Sequence, residues 1–354
     1  MLWHICFTNT TSWLDANFWY GLLTTRMGLA ATRLSVAHGS CWGRLLLVVQ
    51  LAVLVGGLPA RSSDSDVPSA VQAAADEPIT PIPQPPTVDP LKVKLGEQLF
   101  NDPRLSRDGT RACGSCHDTE TNGAKPPASN LVHDGPESAF DTVTVFNAAL
   151  NFRLNWEGNF RTLEAHTLSS LESPGGLQSP INEIVAKLAA DPEIAGQFLA
   201  AYGHKPDPKS LLDAFATYER SLLTPGSRFD QWLGGDTTAL SAQELAGYQL
   251  FKSYGCVSCH QGVNVGGNLF ERQGIFHPLV ARKPDLVRVP SLRNVATTAP
   301  YFHDGSAPTL EEAVRKMAFA QLNRTMPEHD IAAISAFLRT LTGNYHGHPV
   351  GDPP

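Results

Sequence analysis

The sequence predicts a mainly α-helical chain built as two tandem domains of one ground plan, and three observations predict it. A Cys-x-x-Cys-His pentapeptide occurs twice, as Cys113-Gly114-Ser115-Cys116-His117 and as Cys256-Val257-Ser258-Cys259-His260. The same Gly-x-Gln-Leu-Phe sequence precedes each one, at 96–100 and 247–251, which marks an internal repeat. An apolar helical stretch follows each one, Leu211 to Tyr218 and Ile331 to Leu338. No stretch reads as a sheet, and the 27 prolines and 29 glycines imply long irregular segments between the helices.

Two thiols and an adjacent histidine at this spacing form the attachment site of a c-type haem. The thiols add across the vinyl groups and the histidine becomes an iron ligand. At this chain's Cys and His frequencies, on the order of 0.003 such motifs are expected by accident. A redox dithiol would leave the histidine unexplained, and a zinc site would not place one identically after both pairs. The cofactor expectation is therefore two covalent haem c groups, one per domain. Helix, motif, variable loops and terminal helix then make a cytochrome c-like plan, occurring twice.

Along the chain, residues 1–60 read as a leader. Arg44 precedes the apolar run Leu45 to Gly57, and Leu58-Pro59-Ala60 offers a small residue before Arg61. Met27 is an alternative start, and an uncleaved N-terminal membrane anchor is the rival reading. Cys6 and Cys41 fall in this leader, so cleavage would leave only the four motif cysteines and none for disulfides. Thioether attachment takes place outside the cytoplasm, which makes the bacterial periplasm the expected location. Residues 61–90, rich in Pro, Ser, Ala and Asp, read as a tether or an extended wrap.

The N-terminal cytochrome c-like domain is expected over 91–230, opening with an amphipathic helix from Leu91 to Phe100. The C-terminal one is expected over 236–345. Gly226 to Asp236, with Gly234-Gly235-Asp236, supplies the boundary, and Ser241-Ala242-Gln243-Glu244 reads as a capping box. The formal net charge of −7, with no basic stripe, argues against nucleic acid as a partner.

Between the motifs, Leu105 to Thr110, Thr144 to Ala149, Val289 to Val295 and Thr298 to Gly305 carry a resemblance to a known family. From about Leu91 to Gly343 the chain resembles the bacterial dihaem cytochrome c peroxidases and their MauG-like relatives. The resemblance implies a peroxide-reacting N-terminal haem and a high-potential C-terminal haem that receives electrons. On that pattern His117 and His260 are the proximal ligands. Met317 falls where the family's methionine completes the C-terminal iron, although a helix-interior methionine is also ordinary core. Met326, before Pro327, is the weaker alternative. MauG-like enzymes carry a tyrosine there, so Met317 favours a peroxidase.

The resemblance also makes His133 the removable distal ligand of the N-terminal haem, in a loop that reads as mobile; an exposed loop histidine is the plain alternative. Trp156 matches the tryptophan between the haems, where simple aromatic burial would also serve. Asp141, Thr298 and Pro300 match a calcium site, reasonable chemistry for a hard cation. His303 reads as structural. One departure stands out. The family's glutamine and glutamate over the peroxide face fall at His166 and Gly176, so the glutamate is absent. His166 itself or Glu172 is then the expected proton shuttle.

The implied activity is a periplasmic cytochrome-c peroxidase that reduces hydrogen peroxide with electrons from a small cytochrome c or cupredoxin. A homodimer is common in the family, and nothing in the chain proves one. The alternatives are a MauG-like oxidase acting on a protein or organic substrate, and a non-catalytic dihaem electron carrier.

Overall fold

The computed structural model describes residues 77–124, 141–280 and 284–351. The leader, Met27 and most of the 61–90 stretch lie outside the described residues. Nine α-helices occur among those described: α1 Pro90–Phe100, α2 Leu163–Glu172, α3 Ile181–Ala190, α4 Pro192–Tyr202, α5 Pro208–Ser221, α6 Arg228–Leu233, α7 Ala242–Ser253, α8 Leu310–Leu322 and α9 Glu328–Arg339. Strand is confined to two short antiparallel ribbons, β1 Phe270–Arg272 with β2 Leu286–Arg288, and β3 Asn344–Tyr345 with β4 His348–Pro349. None of these helices is long and apolar enough to cross a membrane.

The repeat has a steric cause. A Cβ on Gly96 of α1 would lie 2.2 Å from the Ala214 carbonyl oxygen of α5. One on Gly247 of α7 would lie 1.9 Å from the Ala333 carbonyl oxygen of α9. Each repeat therefore crosses its first helix over its last at backbone contact, and glycine alone fits the crossing. Phe100 then packs edge-on to Tyr218 with centroids 5.3 Å apart, and Phe251 meets Phe337 at 5.2 Å. Each crossing anchors its own core. Leu95, Leu99, Phe198, Leu211 and Phe215 build the first; Phe229, Tyr248, Ile334 and Phe337 build the second.

This crossing gives a direct prediction. Gly247→Ala should lower the unfolding free energy by about 1–3 kcal/mol through overpacking. Helix propensity alone would raise it by up to about 1 kcal/mol. Denaturant titration of the holoprotein decides the sign, and a gain would mean that the crossing is looser than described.

Two stretches, residues 228–233 and the described end of the 61–90 stretch, are packed into the second core. Residues 228–233, inside the expected boundary, form α6, which Ser227 caps by accepting the Asp230 N–H at 3.0 Å. Phe229 and Leu233 of α6 belong to the second core. The described end of the 61–90 stretch is a strap on that same core, reached before the chain starts α1. Glu77 accepts the Tyr248 hydroxyl at 2.5 Å and Lys252 Nζ at 3.1 Å. Gly262 N–H donates to the Pro78 carbonyl at 2.8 Å, and Ile79 is fully buried, which contributes about 1.5–3 kcal/mol. Arg293, itself fully buried, joins the strap to α6 through Thr80 O and Asp230 Oδ1, both at 2.8 Å.

A second pair of matched residues holds the two halves together. Asn147 and Asn294 both take φ 60°, each opening a short 3-10 turn. Their side-chain amides both donate to Thr224 Oγ1, at 2.8 and 3.0 Å, where the chain passes from one half to the other. The left-handed backbone is one that asparagine adopts more readily than most side chains.

Candidate active site

Both Cys-x-x-Cys-His motifs fold alike. Cys113–Ser115 and Cys256–Ser258 are 3-10 turns. His117 N–H donates to Cys113 O at 2.9 Å, and His260 N–H to Cys256 O at 3.0 Å. This turn brings the histidine back beside the cysteines. Nδ1 of His117 lies 3.3 Å from Gly123 O, and Nδ1 of His260 lies 3.2 Å from Val265 O. A backbone carbonyl accepting from Nδ1–H selects the tautomer whose lone pair is on Nε2, the atom an iron would take. Burial holds both imidazoles below their usual range, His260 at about 4, so both are neutral at pH 7. None of the four motif cysteines is in a disulfide.

Beside the second motif lies a largely apolar cleft with a cavity volume of about 190 Å³. Cys256, His260 and Phe251 form part of its wall, and α8 contributes Leu310, Ala313, Val314, Met317 and Ala318. These positions share one helical face, so Met317 points into the cleft. Met326, buried in the second core, lines it too. The donor set suits haem: two thiols, a neutral imidazole, a thioether and an apolar enclosure. Arg288 strengthens the fit. It is 2 % exposed, its Nε donates to Asn155 O at 3.2 Å, and its Nη1 has no partner at the cleft wall. Burial brings its pKa down to about 10, so it is still a cation at pH 7 and requires an anion such as a propionate.

Trp156 also lines this cleft. Its Nε1–H donates to Asp141 O at 3.1 Å, and its ring stands edge-on to His303 at 6.0 Å. Arg288 N–H donates to Trp156 O at 2.9 Å, and Asp141 N–H to His303 O at 2.8 Å. Asp141, Thr298 and Pro300 line the same cleft as Trp156.

Residues 90–238 match the family described as di-haem cytochrome c peroxidase, and residues 245–342 match cytochrome c. The chain is 37% identical over 292 residues to a cytochrome c551 peroxidase of Nitrosomonas europaea, covering 78% of this chain and 87% of that one. It is 39% identical to a cytochrome c peroxidase of Escherichia coli, over 76% of this chain and 62% of that longer one. It belongs to the dihaem cytochrome c peroxidase family. A solved MauG-like protein associated with microbial copper homeostasis shares the fold at a TM-score of 0.62 and 25% identity, over 74% of this chain and 93% of that one. As in the family, the chain carries two haem c sites, and it is an oxidoreductase of the cytochrome c peroxidase type.

The two residues expected as proton shuttle, His166 and Glu172, are placed differently. His166, on α2, packs edge-on to Phe160 at 5.3 Å. Burial brings its pKa down to about 4, with the Arg288 charge adding to the fall, so it is a neutral imidazole at pH 7. Glu172 is not brought to this place. Its carboxylate is exposed and accepts Ile181 N–H at 3.1 Å, capping α3. Gly176 is sterically closed as well as lacking the carboxyl, because a Cβ there would meet Ser170 O at 1.8 Å. That loop is pinned by Gly176 N–H to Ser173 O and Leu177 N–H to Ser170 O. His133 lies outside the described residues.

Among the buried charged groups that escaped the sequence reading are Arg288 and Glu219. Arg288 directly precedes the Val289 to Val295 stretch that carries the resemblance, and that adjacency was its only signal. Glu219, just past the apolar helical stretch Leu211 to Tyr218, is 7 % exposed.

Proposed function

We propose that this protein is a periplasmic peroxidase converting hydrogen peroxide, two electrons and two protons into two waters, fed one electron at a time by a small cytochrome c or cupredoxin. The observation that carries this reading is the pairing of two haem-attachment turns with a tryptophan-lined cleft in a single folded unit. When bound, the haems supply the redox chemistry. His117 and His260 present Nε2 because a carbonyl holds each Nδ1. Met317, on the cleft face of α8, is the reading for the sixth ligand of the C-terminal iron. His133 is the reading for the ligand that leaves the N-terminal iron to admit peroxide.

His166, neutral and half-buried, accepts a proton from the arriving peroxide and returns it to the departing oxygen. Trp156 relays electrons between the two sites. Arg288 neutralises a buried propionate. Electron donors dock weakly, as is usual for such encounters.

Calcium is the proposed partner of Asp141, Thr298 and Pro300. Asp141 Oδ2 is buried with no hydrogen-bond partner, and burial with the nearby Asp304 charge pushes its pKa up to about 6. A buried carboxylate raised by its surroundings is one that a cation would stabilise. No cluster of three or more His, Cys, Asp or Glu side chains suited to a metal occurs among the described residues, so backbone carbonyls would complete the shell. Chelation should lower turnover by about tenfold to 10²-fold through misplacement of the Trp156 region, and calcium should restore it. Turnover unchanged after exhaustive chelation removes calcium from the account.

The whole reading is tested by steady-state peroxide consumption with a reduced small cytochrome c. Two donors should be oxidised per peroxide. No oxidation above the protein-free rate would leave a carrier in place of an enzyme.

A further inference from the structure

The N-terminal half holds a buried acid that the reaction as read so far does not use. Glu219 lies near the end of α5, 7 % exposed. Its carboxylate takes a long hydrogen bond: Thr167 Oγ1, on α2, donates to Oε1 at 3.4 Å. The adjacent Arg220 is committed to Glu164 instead. Glu219 shares its side of α5 with Phe215 and Leu222, which lie four residues before it and three after. Both belong to the core against which Cys113 of the first motif packs. Gly176, where the family carries its glutamate, has no room for a side chain.

A carboxylate with one weak neutral partner in an apolar site is poorly stabilised as an anion. Burial pushes Glu219 up to about 7, with Glu164 adding to the rise while Thr167 and Arg220 oppose it. The groups facing it are few. From α2 come Thr167, the Glu164–Arg220 pair and, next along the helix, His166; the motif brings Cys113. On α1, Lys92 is engaged with Asp213 at 2.9 Å and Glu97 lines a separate cleft with Tyr218. Helix α3 turns Ile184 and Leu188 to the core and keeps Glu183 and Lys187 exposed. The turn Ala148–Leu150 carries no charge.

We infer that Glu219 is the proton partner of the N-terminal haem: its carboxylate takes up one proton when the iron takes up one electron, and releases it on reoxidation. The electron comes from the one-electron donor of the cytochrome c or cupredoxin class, and the O–H bond forms at a Glu219 carboxylate oxygen. The net charge of the pocket is then the same in both states, which is favourable in a low-dielectric site. Peroxide reduction consumes one proton for each electron, so this group stocks the pocket with what the reaction spends. The inference rests on the dihaem reading, and it is independent of whether peroxide is the oxidant.

The test is spectroelectrochemical titration of the two-haem protein from about pH 5 to pH 9, without peroxide. Reduction adds negative charge and raises the carboxylate's proton affinity. The N-terminal midpoint should therefore fall as pH rises through neutrality, by about 59 mV for each tenfold difference in proton affinity between the redox states. Glu219→Gln mimics the protonated carboxyl. It should hold the N-terminal midpoint at the low-pH plateau throughout and leave the C-terminal midpoint as it was.

A slope that survives in Glu219→Gln assigns the proton to another group, such as a propionate, and overturns the inference. If that variant fails to take up haem, redox-difference infrared spectra of the unaltered protein decide. A protonated carboxyl stretch must appear on reduction of the N-terminal haem at pH 7, and its absence is fatal. Loss of peroxidase turnover alone bears on the proposed function and leaves these potentials untouched.

Discussion

Met317→His is expected to lower the potential of the C-terminal haem by on the order of 0.2 V, about a quarter of the roughly 0.8 V that axial ligands command. A thioether favours the reduced iron, while a second imidazole favours the oxidised one. At about 59 mV per tenfold for one electron, such a fall shifts the equilibrium with a donor by ~10³-fold. Turnover with a reduced cytochrome c should collapse with it. Redox titration followed at the C-terminal haem band measures the shift. Met326→Leu is the control, because Met326 shares the cleft wall but sits in the buried core. It should leave the potential in place. If Met326→Leu lowers it and Met317→His does not, the two methionines exchange roles.

Trp156→Phe should slow peroxide turnover by about tenfold or more, ~1.4 kcal/mol of barrier, with both haem potentials retained. The substitution keeps an aromatic ring and removes the Nε1–H donated to Asp141 O at 3.1 Å. Loss of that bond costs stability only by about 0.5–1.5 kcal/mol. Stopped-flow mixing of the half-reduced protein with peroxide separates the cases. Slow transfer between haems with unchanged potentials supports the relay. Unchanged transfer makes Trp156 a packing residue whose work is to hold Asp141 and His303.

The features legible in the sequence were those with a local cause. The paired Gly-x-Gln-Leu-Phe stretches were visible as a repeat, and the crossings at Ala214 and Ala333 explain why glycine is required. The Ser241 and Glu244 capping box formed as its spacing dictates, with Ser241 N–H donating to Glu244 at 2.7 Å. The helix around Met317 followed from periodicity. Its cleft-facing side followed from the same positions.

What escaped depends on contacts far apart in the chain. Nothing around Glu77 or Ile79 says that the strap clasps Tyr248 and Lys252, some 170 residues on. Glu219 beside Arg220 has the pattern of an exposed ion pair, until Arg220 turns to Glu164 and leaves the acid inside. Arg288 carries no local signal and is buried through its packing on Asn155 and Trp156, more than 130 residues earlier. Glu172 was chosen for its chemistry, but the geometry of its loop directs the carboxylate to Ile181 N–H instead. Spacing constrains a helix turn well, and it constrains the far end of a loop poorly.

The central claim is that one folded unit carries two covalently attached haems of unequal potential, one closed by Met317 and the other free to open. A redox titration of the intact holoprotein, with haem counted on the same sample, tests it most directly. The account predicts two haem c groups per chain and two separate one-electron waves of equal amplitude, the higher one lost from its place in Met317→His. A single haem per chain, or two haems titrating together at one potential, would contradict it.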